Sequence, residues 1–248
     1  MDLSIGGRTA AIAGASGGLG YAAARALAEE GVRVVICGRD KERLTRAVEK
    51  LGDGVSGILA DVSTPEGATD FVRRAHLELG RIDILVTNAG GPPAGTFATT
   101  ELDAYAPALA LNLLSVVAMC KEAVPGMQAR GWGRVVGITS IAVRQPLPSL
   151  ILSNTARAGA TAFLKTLATE VARDGVTVNS LLPAYHDTDR VRSLHGDRIG
   201  TLGAELPVGR IGRPEEFGAF LAFLCGEQSG FLTGNAFPVD GGFHLGLF

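Results

Sequence analysis

The chain reads as an α/β domain built on a doubly wound parallel sheet of seven strands. Three observations predict this fold: seven short β-branched runs alternate with longer helical segments, those runs show no polar alternation, and a glycine-rich turn follows the first of them. Missing alternation implies that helices cover both sheet faces. With 248 residues, 46% of them hydrophobic and 19% charged, the chain buries one sizeable core, so residues 1–248 are expected to form a single domain.

The first run, residues 9–14, enters Gly14-Ala15-Ser16-Gly17-Gly18-Leu19-Gly20 and then an alanine-rich helix. Gly14, Gly18 and Gly20 permit a tight turn, close approach of a pyrophosphate and tight helix packing, and the helix start offers free amides to the anion. With Ser16, Gly17 and Leu19 they form a candidate dinucleotide-binding turn, given weight by its place at the first strand-to-helix junction. The second run, 33–37, ends at Gly38-Arg39-Asp40. An NAD site carries a carboxylate at this strand end. Gly38 leaves that place empty and Arg39 suits a 2'-phosphate, so NADP(H) is favoured over NAD(H). The alternative makes Arg39 a solvated helix start and Asp40 its N-cap.

The third run, 55–60, leads to Asp61-Val62. These residues are placed for an adenine edge, although Asp61 reads equally well as the cap of a helix near Pro65. The fourth run, 83–88, ends in Asn88-Ala89-Gly90 and opens an irregular Gly/Pro/Thr stretch at 90–100. The fifth, 134–139, is followed by Ser140, and the sixth, 176–182, by Pro183. Residues 184–213 are polar and weakly periodic, which suits a substrate lid with a short helix in it, or a plain surface loop. The seventh run is 235–239.

A formal net charge of -2 gives no basic footprint for nucleic acid. Cys37, Cys120 and Cys225 have no C-x-x-C spacing and the four histidines are scattered, so reduced thiols in a cytoplasmic protein are expected, with no metal site. No leader pattern and no run of 18 uninterrupted apolar residues is seen, and no membrane partner is expected.

These features, with Asn112, Ser140, Phe231-Leu232-Thr233-Gly234 and Val239-Asp240-Gly241-Gly242 in order, make the chain resemble the classical short-chain dehydrogenases/reductases, most of all the 3-oxoacyl-[acyl-carrier-protein] reductase type. The resemblance covers nearly the whole chain. It implies a Rossmann sheet, a small carbonyl or alcohol substrate and a homotetramer built through the long helices after strands four and five and the C-terminal segment. It also implies a catalytic Asn, Ser, Tyr and Lys, in which Ser polarises the substrate oxygen, Tyr moves the proton, Lys lowers the Tyr pKa and holds the nicotinamide ribose, and Asn holds a water.

Asn112 and Ser140 match that set. The tyrosine position, thirteen residues beyond Ser140, is Ser153, and the lysine position is Arg157, within Ser153-Asn154-Thr155-Ala156-Arg157-Ala158-Gly159. An aliphatic hydroxyl is a far weaker acid than a phenol of pKa about 10. Arg157 keeps the charge and can bind ribose hydroxyls, but its pKa above ~12 makes it a poor relay. Tyr185, two residues beyond Pro183, is an alternative proton donor or a pocket wall, and His186 beside it is a weaker candidate. Arg144, Gln145 and Pro146 fall where relatives build the substrate pocket, or face water. Lys165 is expected at an interface, and the Phe217-Phe220-Phe223 run and the tail 243–248 are expected to be buried or in subunit contact. Three functions stay open: an oxidoreductase with an altered site, an NADP(H)-binding sensor or partner-stabilising protein, and lyase or isomerase chemistry on the same scaffold.

Overall fold

The computed structural model describes residues 2–247. Seven strands form one parallel sheet in the order β3-β2-β1-β4-β5-β6-β7. They are β1 (Thr9–Ile12), β2 (Arg33–Gly38), β3 (Val55–Leu59), β4 (Ile84–Thr87), β5 (Gly133–Ile138), β6 (Val176–Pro183) and β7 (Ala236–Val239). Each lies within two residues of its expected run. Phe248 of the expected apolar tail lies outside the described residues.

Side-chain alternation along a strand sends neighbours to opposite faces. Ala11 therefore packs with Phe71, Met119 and Leu164 of the helices α3 (Pro65–Leu79), α5 (Ser115–Arg130) and α6 (Ile151–Val171). Ile12, one residue on, packs with Leu27, Leu44 and Phe217 of α1 (Gly18–Glu29), α2 (Lys41–Leu51) and α9 (Pro214–Cys225). Both faces are dry, which is why the strands carry no polar alternation. The chain is a single-domain Rossmann fold.

The strand order reverses between β1 and β4, so a crevice opens above their carboxyl ends. Four capping details set its rim. Asp40 accepts from Arg43 N at 3.0 Å and caps α2, as the alternative reading of this strand end had it. Thr64, not Asp61, caps α3, accepting from Gly67 N at 3.2 Å. Asp61 instead holds its own turn by accepting from Ser63 N at 2.9 Å, because it lies three residues ahead of the N-cap position. Thr188 caps α7 (Asp189–His195), which α8 (Ile199–Leu202) follows within the segment 184–213.

A continuous helix, Leu102–Arg130, runs through α4 (Tyr105–Leu109), a π-turn at Ala110–Leu114 and α5. By length and composition it could cross a membrane, which the sequence reading did not anticipate because Pro107, Asn112 and Lys121 interrupt every apolar run. Met119, Cys120, Ala123 and Met127 bury one side of it in the core, and Leu102 and Leu114 lie exposed on it.

Candidate active site

The crevice encloses about 820 Å³ and brings together most of the residues expected at the site. At one end, beside the glycine turn, lie Ser16, Gly17, Gly18, Leu19, Arg39, Asp61 and Val62, and at its far end Asn88, Ala89, Gly90, Ser140, Ser153, Arg157, Pro183 and Tyr185. Asn112 stands just behind the wall, reaching Gly90 by a hydrogen bond.

The glycine turn has the shape a dinucleotide requires. A side chain at Gly20 would put its Cβ 2.7 Å from Gly14 O, so only glycine lets α1 pack on the turn. Asn88 buttresses it, donating from Nδ2 to Ala13 O at 3.2 Å and Gly14 O at 2.9 Å. A Cβ at Gly38 would sit 2.8 Å from Ser16 Oγ, so the strand-end place of an NAD-binding carboxylate is filled by the serine. Arg39 is exposed beside it and forms no ion pair among the described residues. The donor set fits a nucleotide that carries a 2'-phosphate.

Arg43, which the sequence reading passed over, lies along the same rim. Its Nη2 lies 3.0 Å from where a Gly17 Cβ would be and bonds Asp189 Oδ2 at 2.8 Å, tying the segment 184–213 to the glycine turn. That segment is also pinned at its base, where Gly212 N donates to Tyr185 O and Asp187 N to Gly212 O, both at 2.9 Å. Arg190 reaches from α7 to Pro92 O at 2.8 Å.

At the other end, Ser140 Oγ accepts from Ala142 N at 3.1 Å, which leaves its own proton free to point at a ligand. Asn112 sits in the π-turn, a distortion frequent at functional sites. Its Nδ2 donates to Gly90 O at 2.8 Å, and its buried Oδ1 accepts from no described group. Arg157 bonds Ile138 O and Thr139 O through Nη1, each at 3.1 Å, and Gly90 O through Nη2 at 3.4 Å. Three carbonyls thus fix the guanidinium, and Gly90 O is shared with Asn112. Burial, and then the charge of Arg190, bring Arg157 down to about 10, so it remains a cation at neutral pH. Ser153 is buried on the same helix face, and no described base hydrogen-bonds to it.

Tyr185 stands edge-on between His195, at 5.2 Å between ring centres, and Phe243, at 5.4 Å. Burial raises its pKa, Glu205 adds to the rise and Arg198 opposes it, so the phenol is a weaker acid than in water. His186 is buried against Phe217, and burial lowers its pKa, which suits packing better than proton transfer at the cleft. The three cysteines are pushed up to about 12 by burial and are inert.

Of the two readings left open for residues 144–146, pocket or solvent, none of the three lines the cleft: Arg144 donates to Ala236 O at 3.0 Å, Gln145 Oε1 accepts from Leu245 N at 3.3 Å, and Arg144 and Pro146 are exposed. Leu147, Pro148, Ser149 and Leu150 line it instead. Of the tail, Phe243 packs on Tyr185 but Leu245 and Leu247 are exposed. Lys165 faces a separate hollow near Gly234. Thr188, Arg190 and His195 also line the cleft and were missed. Thr188 had a readable signal, a capping residue followed by an acid at a helix start. Arg190 and His195 had none.

A family model described as Enoyl-(Acyl carrier protein) reductase matches residues 14–244. The acetoacetyl-CoA reductase of Cupriavidus necator is 37% identical over 246 residues, spanning 96% of this chain and 99% of that protein. The 3-oxoacyl-[acyl-carrier-protein] reductase FabG of Vibrio cholerae is 30% identical, spanning 98% and 100%. Among solved structures, L-sorbose reductase from Gluconobacter frateurii, complexed with NADPH and L-sorbose, superposes with a TM-score of 0.94 at 33% identity over 100% of both chains. The chain belongs to the classical short-chain dehydrogenase/reductase family.

Proposed function

We propose that the protein is an NADP(H)-dependent oxidoreductase of the 3-oxoacyl reductase type, acting on a small carbonyl or alcohol through a site that departs from its relatives at Ser153 and Arg157. The relatives named above are reductases, and the L-sorbose reductase structure contains NADPH. Ser16 and Arg39 would hold the 2'-phosphate, the turn Gly14–Gly20 the diphosphate, Asp61 and Val62 the adenine edge, Asn88, Ala89, Gly90 and Pro183 the nicotinamide half, and Arg157 its ribose. Bound there, the nicotinamide supplies or accepts the hydride.

For reduction, the carbonyl carbon gains the hydride and its oxygen gains a proton. Ser140 donates to that oxygen and fixes its position. Arg157 is held by three carbonyls and stays charged, so it orients and does not relay. Ser153 has no hydrogen-bonded base to activate it. The proton then comes from water or from Tyr185 at the pocket wall, the two donors within the proposed site. Residues 184–213 act as the lid, the whole chain works as one domain, and a cytoplasmic homotetramer is the proposed state. Exposed apolar residues on the long helix and in the tail support assembly.

The observation that carries this reading is Ser140, whose hydroxyl proton is left free beside the cleft and which a pure binding protein would not need. The test is NADPH oxidation, followed by loss of its absorbance, with a panel of 3-oxoacyl thioesters, ketoses and simple ketones. Turnover lost in Ser140→Ala supports it, and no turnover with any of them opposes it. One observation favours the second reading, an NADP(H)-binding sensor or partner-stabilising protein: Ser153 and Arg157 leave no group able to titrate near neutrality in the relay positions.

A further inference from the structure

Among the described residues, the catalytic end of the cleft holds two guanidiniums and no carboxylate. Asp40, Asp61 and Asp189 are the only described acids lining it; Asp40 and Asp61 lie at the adenosine rim, and Asp189 on the lid is already bonded to Arg43. Arg157 and Arg190 bond main-chain carbonyls alone. Within 184–213 every other arginine has an acidic partner: Arg192 with Asp187, Arg198 with Glu205, and Arg210 and Arg213 with Glu216. Arg190 is the exception among the described residues, and it faces the cleft.

Its placement is built into the loop after β4. A Cβ at Gly91 would lie 2.7 Å from Arg190 Nη2, so glycine is required for the guanidinium to lie on this backbone and reach Pro92 O. One of its five N–H groups is committed there, and the rest remain for a ligand. A guanidinium fork matches a carboxylate in two parallel hydrogen bonds. An unpaired cation pair in a partly closed cleft attracts an anion more strongly than it would in open water.

We infer that Arg190 anchors a carboxylate carried by the substrate, with Arg157 supplying a fixed second positive charge beside it. The inference rests on the oxidoreductase reading for the word substrate, and it narrows the class to oxo acids and hydroxy acids. Arg190 is a specificity residue carried by the lid, so the anion also holds the lid closed.

The test is calorimetric titration of the full-length protein saturated with NADP⁺, using acetoacetate and 2-oxobutanoate, each against its methyl ester. The acids should bind at least ~10-fold tighter than the esters. Arg190→Met should abolish that preference, Arg190→Lys should restore part of it, and both variants should bind NADPH within about twofold of the parent protein. Equal binding of acid and ester, no binding of either, or a loss of NADPH affinity in Arg190→Met as large as the loss of acid affinity would overturn the assignment; the last would give Arg190 to the cofactor diphosphate. If the acids bind with the expected preference yet no oxo acid is reduced, the anion site stands and the oxidoreductase reading fails.

Discussion

Removing Arg39 isolates the basis of the cofactor assignment. The side chain is exposed and forms no ion pair among the described residues, so Arg39→Ala should change folding stability by no more than about 0.5 kcal/mol. The proposed contact is a charge-assisted bond to a 2'-phosphate, worth roughly 1.5–3 kcal/mol. At about 1.4 kcal/mol per decade, NADPH affinity should fall ~10- to 150-fold. Arg43 cannot fully compensate, since its Nη2 is engaged by Asp189 at 2.8 Å. NADH has no phosphate at this place, so its affinity should stay within about twofold. Calorimetry of the parent and variant with both cofactors, beside a thermal melt, reads all three quantities. Unchanged NADPH affinity, or an equal loss for NADH, would refute the reasoning.

Ser153→Ala should leave any turnover nearly unchanged, whereas Arg157→Ala should weaken NADPH binding and lower stability by about 1.5–3 kcal/mol, because the bonds to Ile138 O and Thr139 O are lost; melts and steady-state rates check both. Light scattering at micromolar concentration should report a tetramer, weakened by deleting residues 243–248; a stable monomer contradicts this. His186 is held below its ordinary value of 6.5 by burial, so the unfolded chain takes up this proton first as the solution is acidified. Its contribution is therefore fully present above pH 6.5 and declines as the pH falls below it. Across pH 5–8 the melting temperature of His186→Gln should vary less than that of the parent, and parallel curves would show that His186 is not responsible.

The sheet was legible because burial on both faces leaves an unmistakable run of β-branched and small residues, as in Ala10 to Ala13 and Val34 to Cys37. The nucleotide turn was legible for a related reason: Gly20 and Gly38 meet backbone or side-chain atoms closer than 3 Å, and only glycine satisfies that. What escaped were contacts made by long side chains across distant segments. Arg43 meets Asp189 across 146 positions, and Arg190 meets Pro92 across 98, and neither pairing has a local pattern. Arg144 stayed open between pocket and solvent because its neighbourhood in sequence borders the cleft while its guanidinium turns to Ala236. The capping reading of Asp61 failed because it lies three residues short of the N-cap, where Thr64 held the place.

The central claim is that the scaffold is competent for carbonyl reduction and that Ser153 and Arg157 deprive it of an efficient proton donor. The double change Ser153→Tyr with Arg157→Lys tests it most directly, measured as kcat/KM for NADPH-dependent reduction of an oxo acid panel beside the parent protein. General acid catalysis is typically worth ~100- to 10,000-fold, so a pocket that admits the phenol should gain at least about tenfold. A folded double variant that binds NADPH as the parent does and shows no gain on any member of the panel would contradict the account and leave the protein a nucleotide-binding module.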